Sequence, residues 1–119
     1  MNIGFVMYEW SSVRPELDST LRLIQESVSR GHKVSLIYPN EMAIRRTSVW
    51  ANCRIVTSSS PNAEDNFEFY KSCSLNEEFL PMNDHDVVFF RDNPPLDTHV
   101  LNFMDTLDNE IFFVNFISG

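Results

Sequence analysis

Apolar residues gather at the very start of the chain, in residues 2–7 (NIGFVM), and so short and continuous a run predicts a buried strand of an α/β sheet. A polar loop follows over 8–16. Beyond it Leu17, Leu21, Ile24 and Val28 recur at spacings of four, three and four, which lines one face of a helix. Asp18, Ser19 and Thr20 are each suited to cap its start, and Gly31 to close its end in the left-handed conformation. Residues 33–38 (KVSLIY) give a second predicted strand, with Pro39 and Asn40 expected to halt it. Strand, loop, helix and strand in this order form the opening unit of a doubly wound sheet.

The middle of the chain is less periodic. Residues 49–57 (VWANCRIVT) and 67–73 (FEFYKSC) are rich in aromatic and β-branched side chains and flank a Ser/Pro/Asn-rich stretch over 58–66, a pattern that predicts a β-hairpin with a long loop. Trp50, Phe67, Phe69 and Tyr70 would then decide whether the hairpin extends the sheet edge or forms an interface. The alternative for 75–80 is a short helical turn. Residues 86–90 (DVVFF) form the next clear buried strand, which ends at Arg91-Asp92-Asn93-Pro94-Pro95 because two prolines stop both helix and ladder. Asp97 or Thr98 then caps a helix with Val100, Leu101, Met104 and Leu107 on its apolar face, and 111–114 (IFFV) makes the last strand. The fold class expected is α/β: a Rossmann-like open, mostly parallel sheet with flanking helices, plus a β-hairpin insertion. No linker, repeat or low-complexity tract divides residues 1–119, so a single domain is expected.

Composition narrows the function classes. With 43% hydrophobic residues in 119, the chain supports one real core. The net charge of -8 repels phosphate backbones and anionic lipid headgroups, which argues against nucleic acid and membrane partners. No run approaches the roughly 20 apolar residues that span a bilayer, and the expectation is a soluble, cytoplasmic protein. Cys53 and Cys73 are the only cysteines and read as reduced thiols; no CxxC or HExxH spacing suggests a metal site. GxGxxG, GxxxxGK[ST] and GxSxG are all missing, and three glycines cannot build a glycine-rich phosphate loop.

Ligands of open parallel sheets bind beyond the carboxyl ends of the strands, which directs attention to residues 8–18, 39–46 and 91–98. The last stretch is the most loaded. Arg91 carries a planar fork of donors suited to a carboxylate, Asp92 and Asp97 are placed to orient it or to meet an amine, and Pro94 and Pro95 stiffen the loop. The alternative is that Arg91 pairs with Asp92 or Asp97 merely to fix a turn. Glu9 and Asp18 are lesser candidates. His32 reads as a helix C-terminal cap, His85 as part of a turn and His99 as exposed in a first helical turn, while Phe89, Phe90, Phe112 and Phe113 read as core.

The stretch 86–107, DVVFFRDNPPLDTHVLNFMDTL, resembles the amino-terminal (pre-ATP-grasp) domain of bacterial glutathione synthetases in its order of apolar strand, Arg, charged pair, Pro-Pro, apolar residue, Asp-Thr and helix. The opening NIGFVM, Asp18-Ser19-Thr20, Arg30-Gly31-His32 and the closing strand before Asn115 support the resemblance, which spans nearly the whole chain and is weakest over 43–83. It implies a domain beside an ATP-grasp module that joins γ-glutamylcysteine to glycine through an acyl-phosphate, with ATP and Mg2+ used by the complete enzyme and no cofactor held here. By motif, Arg91, Asp92, Pro94, Pro95, Asp97 and Thr98 would form the substrate-side loop, with Arg91 on a substrate carboxylate and Asp18 and Ser19 beside it. No catalytic residue or metal ligand is expected in this chain.

The family's ATP-binding lysines, metal-binding acidic residues and mobile glycine-rich loop would follow Asn115, and Phe116-Ile117-Ser118 replaces its usual proline-containing stretch. The expected partner is therefore an ATP-grasp module in the same or another chain, together with a small peptide or amino-acid substrate and a possible homo-oligomer. The alternative functions are a stand-alone binding or regulatory module that docks a ligase or a small peptide or amino acid, and an interaction protein that dimerises through its aromatic hairpin.

Overall fold

The protein is described by a computed structural model for residues 1–15, 18–45, 48–91 and 112–115, the last four for their backbone. In chain order the elements are β1 (Asn2–Val6), α1 (Ser19–Ser29), β2 (Lys33–Arg45), β3 (Ser48–Ser58), α2 (Asn66–Ser72), β4 (Cys73–Pro81), β5 (Val87–Phe90) and β6 (Phe112–Asn115), with single 3-10 turns at Trp10–Ser12 and Met82–Asp84. The strands form one sheet in the order β4-β3-β2-β1-β5-β6. β1 pairs parallel with both β2 and β5, and β6 parallel with β5. β3 runs antiparallel to β2 and to β4.

The result is an α/β fold with a mixed sheet, compatible with a Rossmann-like domain. Three of the five pairings are parallel, and the two antiparallel ones lie beyond β2. There the predicted hairpin partner of β3 is displaced: residues 67–72 belong to α2, and the strand that pairs with β3 is β4. Asp65 explains the helix, because its carboxylate accepts from the Phe67 amide at 2.9 Å and so caps the first turn. Glu68 in the first turn and Lys71 in the last complement the dipole. The 75–80 segment is a strand as well, and not a helical turn.

Pro39 and Asn40 do not end β2 either. The strand continues to Arg45, and its register with β3 breaks between Ile37 and Met42, where a residue without an amide hydrogen costs no ladder bond. At α1 the expectations hold: Asp18 is the cap and Gly31 follows the helix at φ 84. The helix predicted from Asp97 or Thr98, and His99 within it, lie outside the described residues.

Alternation along the strands sends side chains to two cores. On the α1 and α2 side, Phe5, Met7, Leu21, Ile24, Leu36 and Phe69 are fully buried. On the other face Val6, Ile37, Ala51, Cys53, Met82, Val88 and Phe90 pack together. Each large side chain removed from water contributes roughly 1.5–3 kcal/mol, so the central strands are held from both sides. Phe90 is core as expected, while Phe89 is half-buried and stacks on Phe5 at 5.0 Å. Cys53 and Cys73 are free thiols. Among the described residues no helix is long and apolar enough to cross a membrane.

Candidate functional site

The chain leaves β1 toward β2 on one side, and β5 lies on the other, so the sheet changes winding direction between β1 and β5. In open α/β sheets ligands bind in the crevice at the carboxyl ends of the strands beside such a switch point. Two residues stand at its mouth. Tyr8 follows the end of β1, and Arg91 follows β5, its amide donating to the Val6 carbonyl at 2.8 Å so that the parallel pairing runs on by one residue.

The start of α1 faces the same crevice. Asp18 adopts extended backbone angles and caps the helix, its Oδ1 accepting from the Thr20 amide at 2.8 Å. Its Oδ2 accepts from the Tyr8 hydroxyl. Arg91 spans the gap from β5 to α1: its Nε donates to Thr20 Oγ1 at 2.9 Å and its Nη2 to Ser19 Oγ at 2.8 Å. A guanidinium held through two of its nitrogens cannot sweep freely, so its donor fork is oriented in advance of any ligand. Burial, and then the bond to Asp18, push the Tyr8 phenol up to about 12, which keeps its proton in place at neutral pH.

A second constellation fixes the loop above β1. Tyr38, at the carboxyl end of the parallel part of β2, receives the Trp10 amide at 2.9 Å, and Tyr70 of α2 donates to the Trp10 carbonyl at 2.7 Å. The Trp10 and Tyr70 rings stack at 4.7 Å with planes 3° apart. Arg54 lies over Tyr38 at 4.1 Å and grips Glu41 with both Nη atoms at 2.7 and 3.0 Å. That grip holds the Glu41 carboxyl below its usual range and raises Arg54.

Of the site residues read from the sequence, Arg91, Asp18 and Ser19 converge. Asp92, Pro94, Pro95, Asp97 and Thr98 lie outside the described residues, and with them the turn-fixing alternative for Arg91. Glu9 is exposed at the head of the 3-10 turn. The segment expected to form a loop over 39–46 is largely strand. His32 ends α1 through its amide, which donates to Ser27, while its Nδ1 lies 3.1 Å from the chain's amino group. Sequence reasoning missed Tyr8 and the clamp on Trp10. Tyr8 carried a usable signal, since it directly follows the apolar run, residues 2–7, that predicts the first strand.

The family model described as prokaryotic glutathione synthetase, N-terminal domain, matches residues 1–118. Among curated proteins, the chain is 25% identical over 101 residues to a glutathione synthetase of Nitrosomonas europaea, an alignment covering 85% of this chain and 31% of that protein. It is 23% identical over 101 residues to a glutathione synthetase of Buchnera aphidicola subsp. Acyrthosiphon pisum, covering 85% of this chain and 30% of that one. The chain thus spans less than a third of the length of these relatives.

Proposed function

Because this chain belongs to the prokaryotic glutathione synthetase N-terminal domain family, we propose that it forms the peptide-substrate side of an ATP-dependent carboxylate-amine ligase that joins γ-glutamylcysteine to glycine. The observation that carries this reading is Arg91, set at the switch point of the sheet and oriented by Ser19 and Thr20. A fixed guanidinium at the carboxyl ends of parallel strands suits a carboxylate of γ-glutamylcysteine, which carries two besides its thiol and amine. In this reading residues 1–119 act as one Rossmann-like pre-ATP-grasp domain, and Asp92, Pro94, Pro95, Asp97 and Thr98 contribute to its substrate side.

The described residues do not fit Mg2+. No three His, Cys, Asp or Glu side chains converge among them, and Asp18, the carboxylate at the crevice, is already engaged by Tyr8 and the helix amide. The proposed partner that holds Mg2+ and ATP is an ATP-grasp module in the same or another chain, working in the cytoplasm. This chain's own contribution is to bind and orient the peptide, so that the acyl group meets the nucleotide at a fixed distance.

The test is steady-state kinetics of the ligase assembled from this chain and its ATP-grasp module. Arg91→Ala is expected to raise KM for γ-glutamylcysteine by roughly 10- to 150-fold, the range for a lost hydrogen bond to a charged group, while KM for ATP stays within about twofold. An unchanged KM for the peptide, with circular dichroism showing an intact fold, overturns the reading of Arg91.

A further inference from the structure

We propose that Tyr70, together with Tyr38, is a positioning residue that presets residues 9–12 as one wall of the peptide crevice, where the exposed Ser11 and Ser12 meet γ-glutamylcysteine. The proposal deepens the reading of this end of the sheet given above and rests on it. The segment that leaves β1 begins and returns at the Arg91 site. Tyr8, its first residue, donates to Asp18, and the neighbouring Ser19 and Thr20 accept from Arg91. Residues 9–12 stand between those two anchors in the chain, above the carboxyl end of β1.

The contacts of Trp10 explain how the segment is held. Both polar groups of its backbone are engaged by phenols from other elements: the amide donates to Tyr38 of β2 at 2.9 Å, and the carbonyl accepts from Tyr70 of α2 at 2.7 Å. The same carbonyl accepts from the Val13 amide at 3.1 Å, and the Glu9 carbonyl from the Ser12 amide at 2.9 Å, which closes the 3-10 turn. A single turn of this kind has poor hydrogen-bond geometry and would fray by itself. Here the Trp10 and Tyr70 rings stack beside it, and Val13 is buried in the α-side core. Tyr38 is braced in turn, since Arg54 lies over its ring and grips Glu41. Burial pushes the Tyr70 phenol up, so it stays a donor at neutral pH. Glu9, Ser11 and Ser12 are left exposed on a backbone ordered in advance. A ligand that meets them does not have to order the segment, and the lower ordering cost appears as affinity.

Kinetics and hydrogen exchange of the assembled ligase test this. Tyr70→Leu, which removes hydroxyl and ring stack together, is expected to raise KM for γ-glutamylcysteine about 10-fold. Tyr70→Phe keeps the stack and is expected to raise it about threefold. Both variants should keep kcat and KM for ATP within about twofold. A merely structural tyrosine would instead lower the melting temperature and the active fraction, hence apparent kcat, with KM unmoved. In hydrogen exchange, γ-glutamylcysteine should slow the amides of residues 10–13 in the parent, and Tyr70→Leu should speed them in the ligand-free protein. An unchanged KM in both variants, or no protection of that segment by the peptide, overturns the role given to Tyr70 even where Arg91→Ala raises KM. If Arg91→Ala leaves KM unchanged while the peptide protects the segment and the Tyr70 variants raise KM, the reading of Arg91 falls and that of Tyr70 stands.

Discussion

His85 is 3% exposed, its ring lying against Gly4 so closely that a Cβ placed there would come within 3.1 Å of the imidazole. The carbonyl of Met82, 3.0 Å from Nδ1, requires that nitrogen to carry the hydrogen. Burial holds the His85 pKa below its ordinary 6.5, and Lys33 adds to the effect, while the Met82 bond, Asp84 and Asp86 oppose it. In the unfolded chain the imidazole takes up a proton near 6.5 that the fold resists, so the unfolded state binds more protons in that window. Stability from neutral His85 is therefore present above pH 6.5 and is lost as pH falls through that value toward the lower folded pKa. Urea denaturation should show unfolding free energy dropping by up to about 1.4 kcal/mol per pH unit below that point. In His85→Asn, whose amide can still donate to Met82, the drop should be smaller; equal drops in both proteins would mean that other groups govern the acid limb. The sequence alone did not reveal this residue's setting, because its neighbours Asp84 and Asp86 are exposed and gave the segment the look of a surface turn.

Phe67 and Phe69 carry the corresponding lesson for whole elements. The alternation FEFY reads as a strand with both rings on one face, and only the shift from a period of 2 to one of 3.6 separates them. In α2 they sit about 200° apart around the axis, from about 100° per residue, and their burial differs accordingly: Phe69 is 0% and Phe67 51% exposed. What overrides the alternation is the Asp65 cap together with the demand of the α-side core for one large side chain in the cluster that includes Leu36 and Val56. Phe69→Ala should cost about 3–5 kcal/mol in urea denaturation, and Phe67→Ala under about 1 kcal/mol. Similar losses at both positions would favour the strand after all. The same competition explains Pro39, which marks a break in register and not the end of β2. By contrast β1, α1, β2 up to Tyr38 and β5 were legible, since each pairs a strong apolar pattern with an unambiguous start or stop.

At the scale of the molecule, topology decides where chemistry sits, and it does so with little help from motifs. Arg91 was legible as a candidate because a charged residue directly after a buried strand marks a carboxyl end; Ser19 came to its side only through the family resemblance, and Thr20 not at all as a partner, because the two are 72 and 71 residues away in sequence. Only the order β2-β1-β5 brings them together. Charge is the other property that belongs to the whole chain. With 17 acidic and 9 basic residues, the folded state concentrates a net -8 that the expanded chain disperses. Opposing this are ion pairs of limited strength: among the described residues Arg30–Glu26 and Lys33–Glu78 are exposed, while Arg54–Glu41 is well sheltered. Raising ionic strength from about 0.01 M to about 0.15 M shortens the Debye length from about 30 Å to about 8 Å, which weakens diffuse repulsion across the molecule more than contacts near 3 Å. The melting temperature at pH 7 should therefore rise with NaCl over this range. A fall would mean that the ion pairs outweigh the net charge, and Arg54→Ala should then remove most of the salt dependence.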